Sequence, residues 1–187
     1  MFIVFSGISG CGKNTIMNEL MKIRQDLKVL EFASGTTRLP RESDKDNNTY
    51  VFMSKEEFEK GIMEGKFYEH ESVHGNYYGT FIDRLESVIG SPCDFMKDID
   101  VNGNISLKKF YDGKCKMVSI FVDVPDDILR QRLAQRGESE ESIQKRLSRG
   151  EYERGHKGDF DLVVENIDLE KSVFEINQFI EKAKSTK

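Results

Sequence analysis

A glycine-rich segment near the start of the chain has the residue types and spacing of a phosphate-binding loop. Residues 7–13, here called the phosphate loop, read Gly-Ile-Ser-Gly-Cys-Gly-Lys and match the pattern Gly-x-x-x-x-Gly-Lys. Glycines let the backbone curl so that several amide N–H groups converge on an anion. Lys13 can then reach the β- and γ-phosphates of a nucleotide. Cys11 is interpreted as a small filling residue of the loop rather than as a nucleophile.

The elements on either side of the loop favour phosphate binding over a plain turn. Residues 2–6 are strand-prone, and Ile16, Leu20, Ile23 and Leu27 have the spacing of one face of an amphipathic helix. A strand, a glycine loop and a helix in this order place the loop at a helix N-terminus, which carries partial positive charge. A tight strand-to-helix turn without a ligand is the alternative, and the full context favours phosphate binding.

The residue after the lysine departs from the usual loop. Ser or Thr normally stands there as a magnesium ligand, whereas this chain has Asn14 followed by Thr15. Either the Asn14 carbonyl oxygen or a water can take the missing position. We therefore expect Mg²⁺ to be held mainly through phosphates and waters, with Asn14 as a candidate protein ligand.

Length, charge and cysteine content limit the function classes. The chain has 187 residues, which is near one domain in size, and a formal net charge of −5. This charge argues against a general nucleic-acid or membrane-surface binder, because such proteins need a broad basic field. Three scattered cysteines, no signal-peptide start and no run of transmembrane length predict a cytoplasmic protein with reduced thiols.

Two arginines in the next segment are placed to bind a second anion. Arg38 and Arg41 are three residues apart, and Pro40 between them keeps the backbone extended. A solvated basic turn would be the better interpretation if this stretch stood alone. Strand-like segments and one short helix, opened by a capping box at Ser54, predict a compact and mostly β region over 33–82.

One motif in this region is misleading. Residues 70–74 read His-Glu-Ser-Val-His, the zinc-binding pattern of metalloproteases. The pattern works only on a helix, where both imidazoles lie on one face, and this segment has aromatic residues before it and Gly75 directly after it. We interpret the match as a coincidence.

The second half of the chain alternates strands and helices. A strand over 95–101 would point Asp98 and Asp100 to the same face, and buried carboxylates of this kind indicate a site. Strands over 117–124 and 162–164, an arginine-rich helical segment that begins after Pro125 and a final amphipathic helix complete the pattern. A polar, frayed tail is expected over 182–187. Alternating strands and helices predict an α/β fold with a central parallel sheet.

Several segments in register resemble the guanylate kinase family. The resemblance is carried by residues 7–13; Ser34, Thr36, Thr37, Arg38, Pro40 and Arg41; residues 75–80; Asp98, Asp100 and Gly103; Arg132, Leu133, Arg136 and Gly137; and residues 145–147. Each motif alone is modest, but their order and spacing over nearly the whole chain are specific. The resemblance implies one P-loop, three-layer domain with a core (1–32, 83–125 and 156–187), a nucleoside-monophosphate-binding insertion (33–82) and a helical lid (126–155).

The resemblance also implies a reaction and a set of site residues. The reaction is transfer of the γ-phosphoryl group of ATP to GMP, and dGMP is a further expected substrate. The implied catalytic residues are Lys13, Asp98, Arg132, Arg136 and Arg146, and the resemblance also implies that Asp98 helps to place Mg²⁺ and its waters. The implied ATP-binding residues are Gly7, Ser9, Gly10, Cys11, Gly12, Lys13, Asn14, Thr15 and Asn166. The implied GMP-binding residues are Ser34, Arg38, Arg41, Tyr50, Glu69, Tyr78, Thr80 and Asp100.

Departures from the family pattern leave alternatives open. They are Asn14, Gly35, Leu39, Asp44 and a segment over 136–146 that is one residue short. A guanylate-kinase-like binding module without catalysis, or a kinase with another base preference, are the alternatives to an active GMP kinase. The retained Lys13, Asp98, Arg136 and Arg146 favour catalysis. Monomer and homodimer both remain open.

Overall fold

The computed structural model describes residues 1–40, 50–73 and 75–185. Two residues singled out above, Arg41 and His74, lie outside the described residues, as does Asp44. The chain divides into two compact units, the first formed by Met1–Lys28 with Cys93–Lys187 and the second by Val29–Pro92. Among the described residues, no helix combines the length and apolar character needed to cross a membrane.

The described chain contains nine strands, seven α-helices and one short 3₁₀ helix at Lys157–Asp159. The strands are β1 (Phe2–Gly7), β2 (Leu27–Val29), β3 (Ser34–Thr36), β4 (Tyr50–Phe52), β5 (Phe67–Val73), β6 (Asn76–Phe81), β7 (Asp94–Asp98), β8 (Met117–Asp123) and β9 (Leu162–Glu165). The helices are α1 (Lys13–Ile23), α2 (Lys55–Met63), α3 (Ile82–Glu86), α4 (Val101–Tyr111), α5 (Asp126–Gln135), α6 (Glu140–Gly155) and α7 (Leu169–Ser185).

The first unit is built on a five-stranded sheet in the order β2-β7-β1-β8-β9. β1 pairs in parallel with both β7 and β8, and β8 pairs in parallel with β9. Residues 2–5 and 120–122 are completely buried, as continuous apolar runs in the middle of a parallel sheet must be. The predicted α/β fold with a central parallel sheet is confirmed.

The second unit is a four-stranded, mostly antiparallel sheet in the order β4-β3-β6-β5. Ser54 opens α2 with the predicted capping box, in which Glu57 is the reciprocal partner. The α2 residue Phe58 stacks on Phe67 of β5, with ring centroids 4.4 Å apart. Gly35 and Gly79 leave room for the Phe67 ring, because a Cβ at either position would lie within 3.2 Å of it. The predicted small, mostly β insertion is confirmed.

The first helix is shorter than predicted. α1 ends at Ile23, whose exposure is 60%, and Leu27 begins β2 instead of continuing the helical face. The reason lies at Arg24, which takes an extended conformation and pairs with Asp26 at 2.7 Å. Residues 29–32 have a strand-like sequence and predict a strand there, but β2 spans Leu27–Val29 and so begins earlier.

The prediction for Asp98 and Asp100 on one strand face is wrong. β7 ends at Asp98, and Asp100 is the N-cap of α4, where its carboxylate accepts the Gly103 N–H at 2.7 Å. α4 itself was not predicted, because Gly103 and two asparagines interrupt its apolar pattern. A side chain that caps a helix satisfies a backbone donor, and this local gain ends the strand.

Three element boundaries also differ from the predictions. The sequence predicts a helix over 84–89, whereas α3 spans Ile82–Glu86. The sequence of residues 75–80 predicts a turn, whereas residues 76–80 belong to β6, which pairs with both β3 and β5. α7 continues to Ser185, so the described part of the predicted frayed tail is helical.

Candidate active site

The phosphate loop connects the end of β1 to the start of α1. Gly10 and Gly12 have φ angles of 101° and 102°, a region that residues with a Cβ rarely adopt. Gly12 caps α1, and the Cys11 N–H donates to the Ile8 carbonyl at 3.0 Å. A curled loop that ends at a helix N-terminus collects amide N–H groups and partial positive charge, which suits an anion.

A cavity lies in front of the loop. It is lined by Ser9, Gly10, Gly12, Lys13, Asn14, Thr15, Asp98 and Arg136. Every one of these residues was singled out from the sequence, and the fold brings them together although Asp98 and Arg136 are far from the loop in the chain. The parallel sheet explains this, because ligands bind outside the carboxyl ends of its strands.

Lys13 is folded back onto the loop. Its Nζ donates to the Gly7 carbonyl at 2.6 Å and lies 3.9 Å from the Asp98 carboxylate. Burial by itself lowers the pKa of Lys13, but Asp98 first, and then Cys11 and Glu153, outweigh burial and hold that pKa above its ordinary value. The lysine is therefore charged at neutral pH and is kept at the cavity as a cation.

Asp98 stands at the carboxyl end of β7 and opens onto the cavity. Its side chain is 41% exposed. Desolvation raises the pKa of Asp98 above its ordinary value, against the opposing effect of Lys13 and Lys97. Asp98 lines the same cavity as Asn14 and Thr15, whose side chains are exposed.

Arg132 and Asn166 hold the back of the phosphate loop. Arg132 donates to the Cys11 carbonyl at 3.2 Å and to the Asn166 carbonyl at 2.8 Å. The Asn166 side-chain amide donates to the same Cys11 carbonyl at 2.8 Å. Both residues were expected near the nucleotide, and the structure places both in direct contact with the loop.

Arg136 and Arg146 approach the loop from the helical segment over 126–155. Arg136 caps the C-terminus of α5 and lines the cavity. Arg146 on α6 contacts the Ser9 hydroxyl and donates to the Glu138 carboxylate at 2.6 Å. Glu138 was not predicted as a site residue, and its ion pair with Arg146 orients the arginine.

The GMP-binding candidates of the second unit form one row across its sheet. Tyr50 pairs with Ser34, Ser34 pairs with Thr80, and Thr80 pairs with Glu69. Residues directly opposite one another on neighbouring strands share a face of the sheet. Four residues predicted from separate motifs are therefore neighbours on one polar face, and Tyr78, two positions before Thr80, lies on that face as well.

An arginine and two aromatic rings extend this face. The Arg38 guanidinium lies 5.4 Å from the Tyr50 ring centroid, and the Tyr50 and Tyr78 rings are 6.2 Å apart in an edge arrangement. Arg41 lies outside the described residues. Asp100 belongs to the first unit, where it caps α4.

The histidine motif lies in the same sheet. His70 belongs to β5, so the helical placement of both imidazoles that the zinc pattern requires is not met. Among the described residues no group of three or more His, Cys, Asp or Glu side chains could hold a metal ion. The interpretation of the motif as a coincidence agrees with this strand conformation.

Comparisons with known proteins agree with this arrangement. A family model described as guanylate kinase matches residues 1–183. The chain belongs to the guanylate kinase family. The guanylate kinase of Chlorobaculum tepidum is 40% identical over 172 residues, which are 91% of this chain and 87% of that relative. The guanylate kinase of Helicobacter pylori is 39% identical over 173 residues, covering 91% and 81% of the two chains.

A solved structure extends the comparison to the fold. The guanylate kinase from Anaplasma phagocytophilum superposes with a TM-score of 0.72 at 26% identity, covering 100% of this chain and 86% of that one. The family membership predicted from the motifs is confirmed over the length of the chain. Guanylate kinases are ATP:GMP phosphotransferases, and no comparison favours a binding module without catalysis.

Sequence reasoning missed two charged groups on α6. Glu153 is 7% exposed, and Arg154 pairs with the buried Asp123 at 2.9 Å. The only sequence signal for Glu153 was its spacing of seven residues from Arg146, which places both on one side of a helix. That signal became informative only after α6 was known to lie against the phosphate loop.

Proposed function

We propose that this chain transfers the γ-phosphoryl group of ATP to GMP and forms ADP and GDP. The observation that carries the proposal is the convergence of Lys13, Asp98, Arg136 and the phosphate loop on one cavity. Phosphoryl transfer needs positioning and neutralisation of charge more than covalent chemistry, and this set of groups supplies both.

In the proposed ATP site, the loop amides and Lys13 bind the β- and γ-phosphates. Arg132, Arg136 and Arg146 gather positive charge around the transferring group, and Asn166 lies beside the adenine. The contacts of Arg132 and Asn166 with the Cys11 carbonyl support this placement, because they fix both side chains at the loop. Closure of the lid over 126–155 would exclude water from the reaction.

In the proposed GMP site, Arg38, Arg41, Tyr50 and Tyr78 bind the phosphate and Ser34 supports them. Glu69, Thr80 and Asp100 read the guanine base. Guanine presents N1–H and N2–H₂ donors, so carboxylate acceptors suit it, whereas adenine presents an acceptor at N1. A buried polar mismatch of this kind costs about 1–3 kcal/mol for each unpaired group, so two such groups discriminate strongly. The row of Tyr50, Ser34, Thr80 and Glu69 on one sheet face supports a shared ligand.

The donor set at the cavity fits Mg²⁺ that is held mainly by the substrate. Mg²⁺ keeps several waters and binds one or two carboxylates together with phosphates. Asp98 is the carboxylate that lines the cavity, and Asn14 and Thr15 add neutral oxygens beside it. These residues would hold the ion, which would neutralise charge on the phosphates.

The test is ADP formation in a coupled assay with ATP and GMP. The wild-type chain is expected to turn over in a GMP-dependent manner, and Lys13→Ala, which removes the loop cation, is expected to lose at least about a thousandfold in kcat. Comparing GMP, dGMP, AMP and UMP tests the base-reading residues. Equal rates with AMP and GMP would contradict the roles of Glu69 and Asp100. Wild-type turnover no faster than that of Lys13→Ala would refute the proposed reaction.

The two nucleotide sites can be separated by one further variant. Arg41→Met is expected to weaken GMP binding and to leave ATP affinity almost unchanged. A fall in ATP affinity instead would show that the division of residues between the two sites is wrong.

A further inference from the structure

One face of α6 lies directly against the phosphate loop. Gly150 makes this approach possible, because a Cβ at that position would lie 3.2 Å from the Ile8 side chain. One turn earlier, Arg146 contacts the Ser9 hydroxyl. One turn later, Glu153 lies on the same face and is 7% exposed. Positions 146, 150 and 153 therefore border the loop.

Glu153 is a buried carboxylate that no predicted role uses. One of its oxygens accepts a hydrogen bond from Arg149 Nε at 3.2 Å, and the other is buried without a hydrogen-bond partner among the described residues. Desolvation raises the pKa of Glu153, against the opposing charges of Arg149 and Lys13. Burying a carboxylate that is only partly hydrogen-bonded lowers the stability of the fold. Because Glu153 is buried in this way and also interacts with Lys13, we infer a role at the nucleotide site.

Arg149 is the charged partner of this carboxylate and is itself open to solvent. Its side chain is 63% exposed, and within the described chain its hydrogen bond is the one to Glu153. This bond uses Nε, so the two terminal nitrogens of the guanidinium remain available to a ligand. Arg149 follows Arg146 by three residues, so the two cations are neighbours on the helix surface beside the loop.

The pair differs from an ordinary surface ion pair on the same helix. Lys145 and Glu141 have the same four-residue spacing and lie 2.7 Å apart, but their side chains are 75% and 79% exposed. Such exposed pairs contribute little to stability and orient nothing. The Glu153 side chain, by contrast, is only 9% exposed, so packing fixes its position and its hydrogen bond restricts the orientation of Arg149.

We propose that Arg149 is a further catalytic cation that contacts the terminal phosphates of bound ATP, and that Glu153 is the positioning residue that holds it there. The proposal rests on the proposed transfer from ATP to GMP and adds one arginine to the set predicted from the sequence. In the transition state Arg149 donates to an oxygen of the transferring phosphoryl group beside Arg146. Glu153 touches no substrate and acts through Arg149.

The test compares Arg149→Ala, Glu153→Gln and the double variant with Lys145→Ala as the matched control. Steady-state kinetics with ATP and GMP, calorimetric titration with ATP and thermal unfolding are measured for each. Arg149→Ala is expected to lower kcat about tenfold or more and to raise the ATP Kd several-fold. It also leaves the buried Glu153 without its partner, so a lower unfolding free energy is expected, and thermal unfolding shows that the variant is still folded at the assay temperature. Glu153→Gln is expected to lower kcat, and the double variant is expected to match Arg149→Ala, because the two residues act as one unit.

Lys145→Ala is expected to stay within about twofold of the wild type in kcat and Kd. An Arg149→Ala variant with wild-type kcat and ATP Kd would overturn the proposal. Losses that add in the double variant would overturn the positioning role of Glu153. If the wild type showed no GMP-dependent turnover while Arg149→Ala still weakened ATP binding, the proposed reaction would fail and the phosphate contact of Arg149 would stand.

Discussion

Asp123 holds the base of the lid, and neutralising it should destabilise the chain measurably. It is the last residue of β8, and its carboxylate is 8% exposed. One carboxylate oxygen accepts from Arg154 Nε at 2.9 Å and from the Val124 N–H at 2.8 Å, and the other pairs with Lys157. The carboxylate thus joins the sheet to the end of α6 and to the turn that follows it.

The size of the effect follows from the burial of the three groups. Removing one partner of a fully buried ion pair costs about 3–5 kcal/mol. Arg154 and Lys157 are 23% and 37% exposed, so water partly stabilises them when the carboxylate is lost. The expected loss of unfolding free energy for Asp123→Asn is therefore about 2 kcal/mol. For a chain of this length that loss corresponds to a Tm lower by roughly 4–8 °C.

The effect should depend on pH in a defined direction. Burial by itself raises the pKa of Asp123, but the hydrogen bonds from Lys157 and Arg154 outweigh burial and place that pKa below its ordinary value. A carboxyl with a lowered pKa contributes stability above its unfolded pKa of about 3.9 and loses it as the pH falls through the folded value. The stability difference between wild type and Asp123→Asn should stay constant from pH 7 to about pH 5, and it should begin to shrink below about pH 4 as the folded carboxyl takes up its proton.

The assay is urea or thermal unfolding of both chains across this pH range. Asp126→Asn is the matched control, because Asp126 pairs with the same Arg154 at 2.6 Å but is 57% exposed. This control is expected to lose less than about 1 kcal/mol. Equal losses in the two variants, or a difference that does not begin to shrink as the pH falls below about 4, would refute the conclusion that burial sets how much the carboxylate contributes to the unfolding free energy.

Three further predictions concern the loop and the two nucleotide sites. Gly7→Ala places a Cβ 2.0 Å from the Val122 carbonyl, so β1 and β8 must separate. The unfolding free energy measured with denaturant is expected to fall by more than about 3 kcal/mol, and a Tm within about 2 °C of the wild type would contradict this. Asn166→Ala removes the 2.8 Å hydrogen bond to the Cys11 carbonyl, so the KM for ATP should rise while the KM for GMP stays unchanged. Equal rises in the two KM values would place Asn166 outside the ATP site. Arg38→Met should raise the KM for GMP about tenfold with the KM for ATP unchanged, and an unaltered GMP KM would remove Arg38 from the phosphate site.

The local features of the chain were predictable where one segment carries all the information. The phosphate loop needs glycines at positions that adopt positive φ and a lysine at a fixed distance from them, and both requirements are visible in seven consecutive residues. The α2 capping box at Ser54 is equally local, since its two hydrogen bonds join residues three apart. The buried run of β8 likewise shows a central parallel strand by its apolar content alone.

Features that depend on competing local and long-range interactions were decided only by the tertiary structure. Leu27 continues the helical spacing of α1, but the Arg24–Asp26 pair and a place beside β7 draw it into β2. Asp100 alternates correctly with Asp98, yet a backbone donor three residues later makes it a helix cap.

The same limit applies to the charged groups of the site. Glu153 and Arg149 form the same four-residue spacing as the exposed Lys145–Glu141 pair, so the sequence could not distinguish them. The distinction arose from Gly150, which brings α6 against Ile8 and buries one carboxylate but not the other. Spacing within a segment fixes which residues are neighbours along an element, whereas burial, and with it the strength of each charge, depends on what the folded chain packs against that element.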